Sequence, residues 1–195
     1  MFFISVGACI PLIANSSNSI ELASTIIYSI GVCMMFGFSA LYHRVDWRSR
    51  VLIIMRRLDH SAIFVMIAGS FTPICLLVLP GNTGIQLLFI IWIIAGIGIL
   101  QTVLFTETPR LIRAGIYLVA GYMAIPYLSV MFSVMSMTNF ILTAASGTIY
   151  TVGAIGYGFQ FPDISPKYFG YHEFFHILVS IAAVLHFIVI YSIVG

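Results

Sequence analysis

Charged residues are scarce in this chain. Only 7% of its 195 residues are Asp, Glu, Lys or Arg, whereas an ordinary soluble domain contains about 25%. Hydrophobic residues make up 61%, and a soluble fold of this size leaves too much surface in water to hide them. The composition therefore excludes a soluble domain, a disordered chain, a coiled coil and a nucleic-acid-binding protein. It predicts an integral membrane protein.

Cysteine is also rare, and its placement excludes a disulfide scaffold. The three cysteines, Cys9, Cys33 and Cys75, are scattered through apolar runs without CxxC spacing. Such a pattern is typical of buried thiols. The apolar stretch at residues 1–16 has no basic start, which favours a membrane helix over a signal peptide.

Seven apolar segments alternate with polar or turn-forming breaks. They cover residues 1–15, 20–43, 59–80, 83–105, 111–133, 138–158 and 171–194. A backbone in lipid must satisfy its hydrogen bonds internally, so each segment is predicted to be a helix. The first segment is shorter than the about 20 residues that a full crossing needs. The sequence predicts an all-α polytopic membrane protein: a bundle of seven transmembrane helices forming one domain over residues 1–195.

The basic residues predict the orientation of this bundle. All eight fall in alternate breaks or at the edge of the segment that follows: Arg44, Arg48, Arg50, Arg56, Arg57, Arg110, Arg113 and Lys167. Cytoplasmic loops carry an excess of Lys and Arg, which places these breaks in the cytoplasm. The N-terminus is then cytoplasmic and the C-terminus lies outside.

Ionisable groups at the ends of apolar segments are costly, which makes them candidates for function. They are His43 at the end of the second segment, Asp59 and His60 at the start of the third, and His172, Glu173 and His176 at the start of the seventh. In the predicted orientation all six lie on the cytoplasmic side. One further histidine, His186, lies about 15 Å deeper than His176 at 1.5 Å per helical residue.

These groups indicate a zinc site. His172 and His176 are four residues apart and share one helix face, so both can bind one ion. Imidazole and carboxylate are ligands that suit zinc. We therefore predict His43, His172 and His176 as ligands, with Asp59 binding either the metal or its water. Taken alone, Asp59 fits a helix N-cap equally well.

His172-Glu-Phe-Phe-His176 also matches the H-E-x-x-H motif of zinc proteases, in which the Glu is the general base. No Asp or Glu follows His176, so no downstream carboxylate offers a third ligand. The longer metzincin pattern needs Gly and His where this chain has Val179 and Ala182. An intramembrane protease with Asp59 as its third ligand stays open as a less favoured alternative.

Three motifs together resemble one family. Ser39-Ala-Leu-Tyr-His43, the stretch from Arg57-Leu-Asp59 to Ala68-Gly-Ser-Phe-Thr-Pro73, and the H-x-x-x-H at His172 and His176 resemble motifs of the hemolysin III and progestin/adipoQ receptor family. They occur in the expected order, and the length resembles the bacterial hemolysin III branch. The resemblance implies seven helices with a cytoplasmic N-terminus in a bacterial inner (plasma) membrane. It also implies zinc held by His43, His172 and His176, with Asp59 and Ser39 beside it.

The wider superfamily includes alkaline ceramidases, so the resemblance favours a zinc-dependent hydrolase of a lipid amide or ester bond. In that hypothesis Asp59 orients or deprotonates the attacking water, and Ser39 donates a hydrogen bond to the developing oxyanion. Membrane lipids are the expected partners and substrates. Two alternatives remain: a receptor-like or membrane-sensing regulator with a structural zinc, and a pore-forming haemolysin. The pore is less favoured because the polar groups cluster at one end of the helices.

Overall fold

The computed structural model of the chain describes residues 1–165 and 169–194, and they form eight α-helices. The helices are α1 (Phe2–Ala14), α2 (Ser19–Arg44), α3 (Ser49–Pro73), α4 (Gly81–Leu104), α5 (Arg110–Tyr122), α6 (Leu128–Val134), α7 (Met137–Phe159) and α8 (Tyr171–Ile193). A π-helical turn, Ile74–Val78, continues α3, and a 3-10 turn, Ile125–Tyr127, joins α5 to α6. Lys167, predicted in a cytoplasmic break, lies outside the described residues.

Six helical stretches in the described part of the chain are long and apolar enough to cross a membrane. This confirms the prediction of an all-α polytopic membrane protein. The first predicted span, which the six stretches do not include, is α1, a helix of 13 residues, about 20 Å long. The hydrocarbon layer is about 30 Å thick, so a full crossing by α1 stays a prediction, as does the orientation of the termini.

The third helix begins ten residues earlier than predicted. The sequence predicts that residues 49–58 belong to the break before the third segment, but α3 starts at Ser49. Leu, Met and Arg favour helix, and a helix can extend beyond the hydrocarbon into the headgroup region. The prediction that Asp59 opens this helix is therefore wrong, and so is its interpretation as an N-cap.

The fifth predicted helix is broken near its middle. Pro126 has no backbone N–H, and its ring clashes with the carbonyl of the residue four positions earlier. That residue is Tyr122, where α5 ends. The chain makes a 3-10 turn, in which the Tyr127 N–H donates to the Ala124 carbonyl at 3.0 Å, and then resumes as α6.

Apolar side chains remain exposed along one stripe of α4. Phe89, Ile93, Ile97, Leu100 and Leu104 are all exposed, and their spacing of three or four residues places them on one helix face. A soluble protein would bury such a stripe. In a membrane it contacts the lipid chains.

The chain divides into two compact units, one built mainly from Met1–Thr106 and the other from Glu107–Ser192. A single domain over residues 1–195 stays a prediction.

In the first unit, α1 packs antiparallel against α2. The Ser5 hydroxyl oxygen lies 4.0 Å from the Cys33 sulfur, and the Ser16 and Thr25 hydroxyl oxygens lie 3.0 Å apart. The turn between the helices is capped by Asn18, whose side chain accepts hydrogen bonds from the first backbone N–H groups of α2. This cap explains why α2 starts where the sequence predicts.

Two glycines bring α2 and α3 together. A Cβ on Gly31 would lie 3.1 Å from the Val65 carbonyl oxygen, and one on Gly69 would lie 3.2 Å from that of Ile27. Small residues let membrane helices approach this closely. The crossing fixes α2 relative to α3, and hence the positions of His43 near the end of α2 and of Asp59 within α3.

The helices of the α3–α4 hairpin contact each other both in the apolar interior and at the charged end. Phe64 of α3 is fully buried against Gly98 of α4. At the charged end, an Arg56 guanidinium nitrogen donates to the Thr106 carbonyl at 3.1 Å, and Arg57 Nε donates to the Thr106 hydroxyl at 2.9 Å. The arginines of α3 therefore bind the second residue after the end of α4.

In the second unit, α7 contacts both α5 and α8. Gly158 of α7 faces Leu111 and Ala114 of α5, where an added Cβ would lie 3.2 and 3.4 Å from them. Gly153 similarly faces Leu178 of α8 at 3.4 Å. Glycines at these positions let α7 approach both neighbours.

Candidate metal centre

The two histidines of α8 face each other across one helical turn. Their Nε2 atoms lie 3.0 Å apart, and both rings are partly buried. Two nitrogens bound to one tetrahedral zinc at about 2.0–2.1 Å lie about 3.3 Å from each other. His172 and His176 are therefore arranged as two ligands of one ion would be.

Aromatic packing orients this pair. The Tyr157 ring of α7 lies 5.8 Å from the His172 ring and 5.2 Å from the Phe175 ring, measured between centroids. The His172 and His176 rings stand nearly perpendicular, with centroids 4.6 Å apart. Tyr157 thus packs beside the His172 ring, and the two imidazoles keep an orientation in which their Nε2 atoms lie close together.

Glu173 lies between the two histidines but points elsewhere. Its carboxylate accepts a hydrogen bond from the Gly170 backbone N–H at 3.0 Å, and its side chain is exposed. A carboxylate in this position stabilises the N-terminus of α8. The arrangement favours a capping role over that of the general base in a zinc protease.

In the first unit, the structure brings His43 and Asp59 together. His43 Nε2 lies 4.0 Å from Asp59 Oδ2, with 34% and 12% of the side chains exposed. His43 is the next-to-last residue of α2, and Asp59 lies within α3. A partly buried carboxylate beside an imidazole can accept a proton or orient a bound water.

Ser39 lies one helical turn before His43 on α2 and is partly buried. Residues four apart lie on one helix face, so Ser39 and His43 share a face of α2. A hydroxyl there can donate a hydrogen bond to an oxygen held near His43.

The donor set fits zinc by its chemistry. Neutral imidazole and carboxylate oxygen are among the ligands that zinc takes in proteins, and a catalytic site uses three of them. The H-x-x-x-H pair on α8 and the His43–Asp59 pair on α2 and α3 each supply donors of this type.

Sequence reasoning missed a polar cluster next to His172. The Arg110 guanidinium donates to the Tyr171 hydroxyl at 2.6 Å and lies 5.7 Å from the centre of its ring. The Gln160 amide nitrogen is 3.4 Å from the same hydroxyl. Arg110 and Tyr171 are 61 residues apart, and no spacing rule connects them.

His186, whose role the sequence left open, is buried against Ser146 within the second unit.

Comparison with known proteins gives a consistent result. Residues 1–187 match the family described as Haemolysin-III related. The Hemolysin-3 homolog of Bacillus subtilis (strain 168) is 32% identical over 157 residues, which cover 79% of this chain and 73% of that protein. Hemolysin-3 of Bacillus cereus is also 32% identical, over 78% of this chain and 70% of its own length. The human monocyte to macrophage differentiation factor is 27% identical over 91% of this chain and 73% of its own.

Proposed function

This chain belongs to the Haemolysin-III related family, and on that basis we propose that it is a zinc-dependent membrane hydrolase of a lipid amide or ester bond. We place it in the inner (plasma) membrane of a bacterium, with a role in membrane homeostasis. The observation that carries the proposal is the 3.0 Å approach of the His172 and His176 Nε2 atoms.

His43 of α2, with His172 and His176 of α8, would hold the metal. Within α8, His172 and His176 already offer two converging imidazole nitrogens, and His43 would supply the third. Asp59 would stand beside His43, either as a further ligand or holding a water. Zinc bound there supplies a Lewis acid that polarises a carbonyl and makes water a better nucleophile near neutral pH.

The protein's own groups would carry the proton transfers. Asp59 would accept a proton from the attacking water as the water oxygen bonds to the acyl carbon. Ser39 would donate a hydrogen bond to the carbonyl oxygen as negative charge develops there. The acyl–nitrogen or acyl–oxygen bond then breaks, and the proton held by Asp59 passes to the leaving atom. The apolar helices would surround the acyl chain.

The first test is the zinc content of the purified protein in detergent, prepared without chelators. We expect about one zinc per chain in the wild type, and loss of most of it in His172→Ala. Glu173→Gln is the matched control, because Glu173 lies between the two histidines but binds the Gly170 N–H. Wild-type protein without zinc, or equal loss in both variants, would contradict the proposed site.

The second test separates a catalytic from a structural zinc. Asp59→Asn should keep the fold and most of the zinc, and should lower lipid hydrolysis by about 10²- to 10⁴-fold, the usual contribution of a general base. The readout is fatty acid released from an N-acyl sphingoid amide or a phospholipid ester. If neither lipid is ever hydrolysed and His176→Ala only destabilises the protein, the zinc is structural. Ion flux into liposomes that persists without zinc would instead indicate a pore.

A further inference from the structure

A cluster of three polar side chains lies beside His172, and we call Arg110, Gln160 and Tyr171 the Arg110 cluster. Arg110 donates to the Tyr171 hydroxyl at 2.6 Å, and the Gln160 side-chain nitrogen lies 3.4 Å from the same oxygen. Tyr171 immediately precedes His172, and its ring meets the imidazole with centroids 6.4 Å apart. The cluster therefore adjoins the proposed metal centre.

The backbone holds this cluster in place. Arg110 is the first residue of α5, and α5 approaches α7 closely because Gly158 faces Leu111. Two residues after Gly158, Gln160 ends α7 in the left-handed region, at φ 58°. Residues other than glycine adopt this conformation at some energetic cost. The fold thus keeps Gln160 in a strained conformation beside the Arg110–Tyr171 contact.

Arg110 has a positive charge without a matching carboxylate. Among the described residues, no Asp or Glu forms an ion pair with it. The nearby Glu173 carboxylate binds the Gly170 N–H instead. A guanidinium has five N–H donors, and the Tyr171 hydroxyl occupies only one of its nitrogens. The remaining donors are available to an anion.

The position of Arg110 at the end of a membrane span indicates which anion it meets. It begins the candidate membrane span Arg110–Val134, and its side chain is exposed. The end of a span lies at the level of the lipid headgroups, where the phosphates are. Arginine binds phosphate through two parallel N–H donors.

We propose that the Arg110 cluster binds the phosphate of an anionic phospholipid and so places that lipid next to His172. This inference rests on the proposed function and narrows its substrate class to phospholipids with a net negative headgroup. Arg110 makes the charged contact, Tyr171 fixes the guanidinium, and Gln160 adds a neutral donor. All three are positioning and specificity residues for the lipid.

The test is lipid binding to the purified full-length protein, followed by native mass spectrometry. Dimyristoyl phosphatidylglycerol is compared with dimyristoyl phosphatidylcholine, which has the same chains and no net charge. We expect wild-type protein to retain the anionic lipid preferentially. Arg110→Gln should weaken that binding about tenfold, since a hydrogen bond to a charged group contributes about 1.5 kcal/mol or more. Arg110→Lys should keep only part of the preference, because lysine keeps the charge but lacks the two parallel donors. Tyr171→Phe should also lose part of it.

Arg48→Gln is the matched control, because Arg48 is an exposed arginine at the start of α3, outside the Arg110 cluster. Equal losses in Arg48→Gln and Arg110→Gln would show nonspecific charge attraction and overturn the proposal. So would equal retention of the two lipids by the wild type. If millimolar inorganic phosphate displaces the anionic lipid, the cluster recognises the free anion and the phospholipid assignment is wrong. Tyr171→Phe serves as the second probe if size-exclusion chromatography shows that Arg110→Gln does not fold.

This experiment needs neither metal nor turnover, so its outcome is distinct from that of the zinc measurement. A metal-free protein that still selects the anionic lipid through Arg110 would sink the hydrolase proposal and leave the binding site standing. A zinc-loaded protein without lipid selection would overturn the lipid-binding site and leave the hydrolase proposal standing.

Discussion

The His186 Nδ1 atom lies 3.0 Å from the Ser146 Oγ, inside the contact between α8 and α7. Both residues are buried, with His186 only 4% exposed. Ser146 has one hydroxyl proton, and its oxygen also lies 2.8 Å from the Thr143 carbonyl. Both contacts are satisfied when Ser146 donates to that carbonyl and His186 Nδ1–H donates to Ser146. In this arrangement His186 Nδ1 carries a proton, and the contact joins α8 to α7 within the second unit.

Ser146→Ala should destabilise the protein by about 1 kcal/mol, since hydrogen bonds between membrane helices contribute about that much. The measurement is the free energy of unfolding in mixed detergent micelles of increasing SDS fraction. Thr148→Ala is the control, because the exposed Thr148 hydroxyl donates only within α7, to Ala144. Equal effects of the two substitutions would show that the Ser146–His186 contact adds no stability.

Gly98→Ala should destabilise the α3–α4 hairpin, because the new methyl group would meet the buried Phe64 ring. Overpacking of this kind costs about 1–3 kcal/mol. Gly96→Ala on the same helix has open space around its position and should be neutral or slightly stabilising. Thermal unfolding in detergent compares the two variants. A Gly98→Ala protein as stable as Gly96→Ala would contradict the described packing.

Ser5→Cys should form a disulfide with Cys33 on mild oxidation, because the Ser5 oxygen lies 4.0 Å from the Cys33 sulfur. Cys9→Ala and Cys75→Ala in the same chain would remove the competing thiols. Gly7→Cys is the matched control, since no atom lies within 4 Å of a Cβ placed there. Mass spectrometry of the digested protein identifies the linked peptides. Linkage through position 7 but not position 5 would mean that α1 presents a different face to α2.

The sequence predicted most of the helices because hydrophobicity and the lipid environment decide them together. The boundaries of α2, α4, α7 and α8 agree with the predicted segments within two residues. The start of α3 was missed because arginines lower the hydropathy of residues 49–58 without opposing helix formation. The break at Pro126 was not predicted, because the residues on both sides of this proline are apolar and the whole stretch is predicted as one helix.

Part of the candidate site could also be predicted from the sequence. The spacing of His172 and His176 predicted that they share a helix face, and their Nε2 atoms do meet. Spacing could not pair Arg110 with Tyr171, because that contact depends on how α5 and α8 pack. The orientation of Glu173 was likewise undetermined, since only the structure shows its bond to the Gly170 N–H.

The contacts of Arg56 and Arg57 with Thr106 have a consequence for how the chain enters the membrane. Positive charge resists translocation, and here the two arginines that anchor the start of one crossing also hold the end of the next. The α3–α4 hairpin therefore has both of its ends retained by one pair of charges. Inverting it would require two guanidinium groups to be carried across the bilayer, so the hairpin is expected to insert as a unit and to keep its orientation once formed.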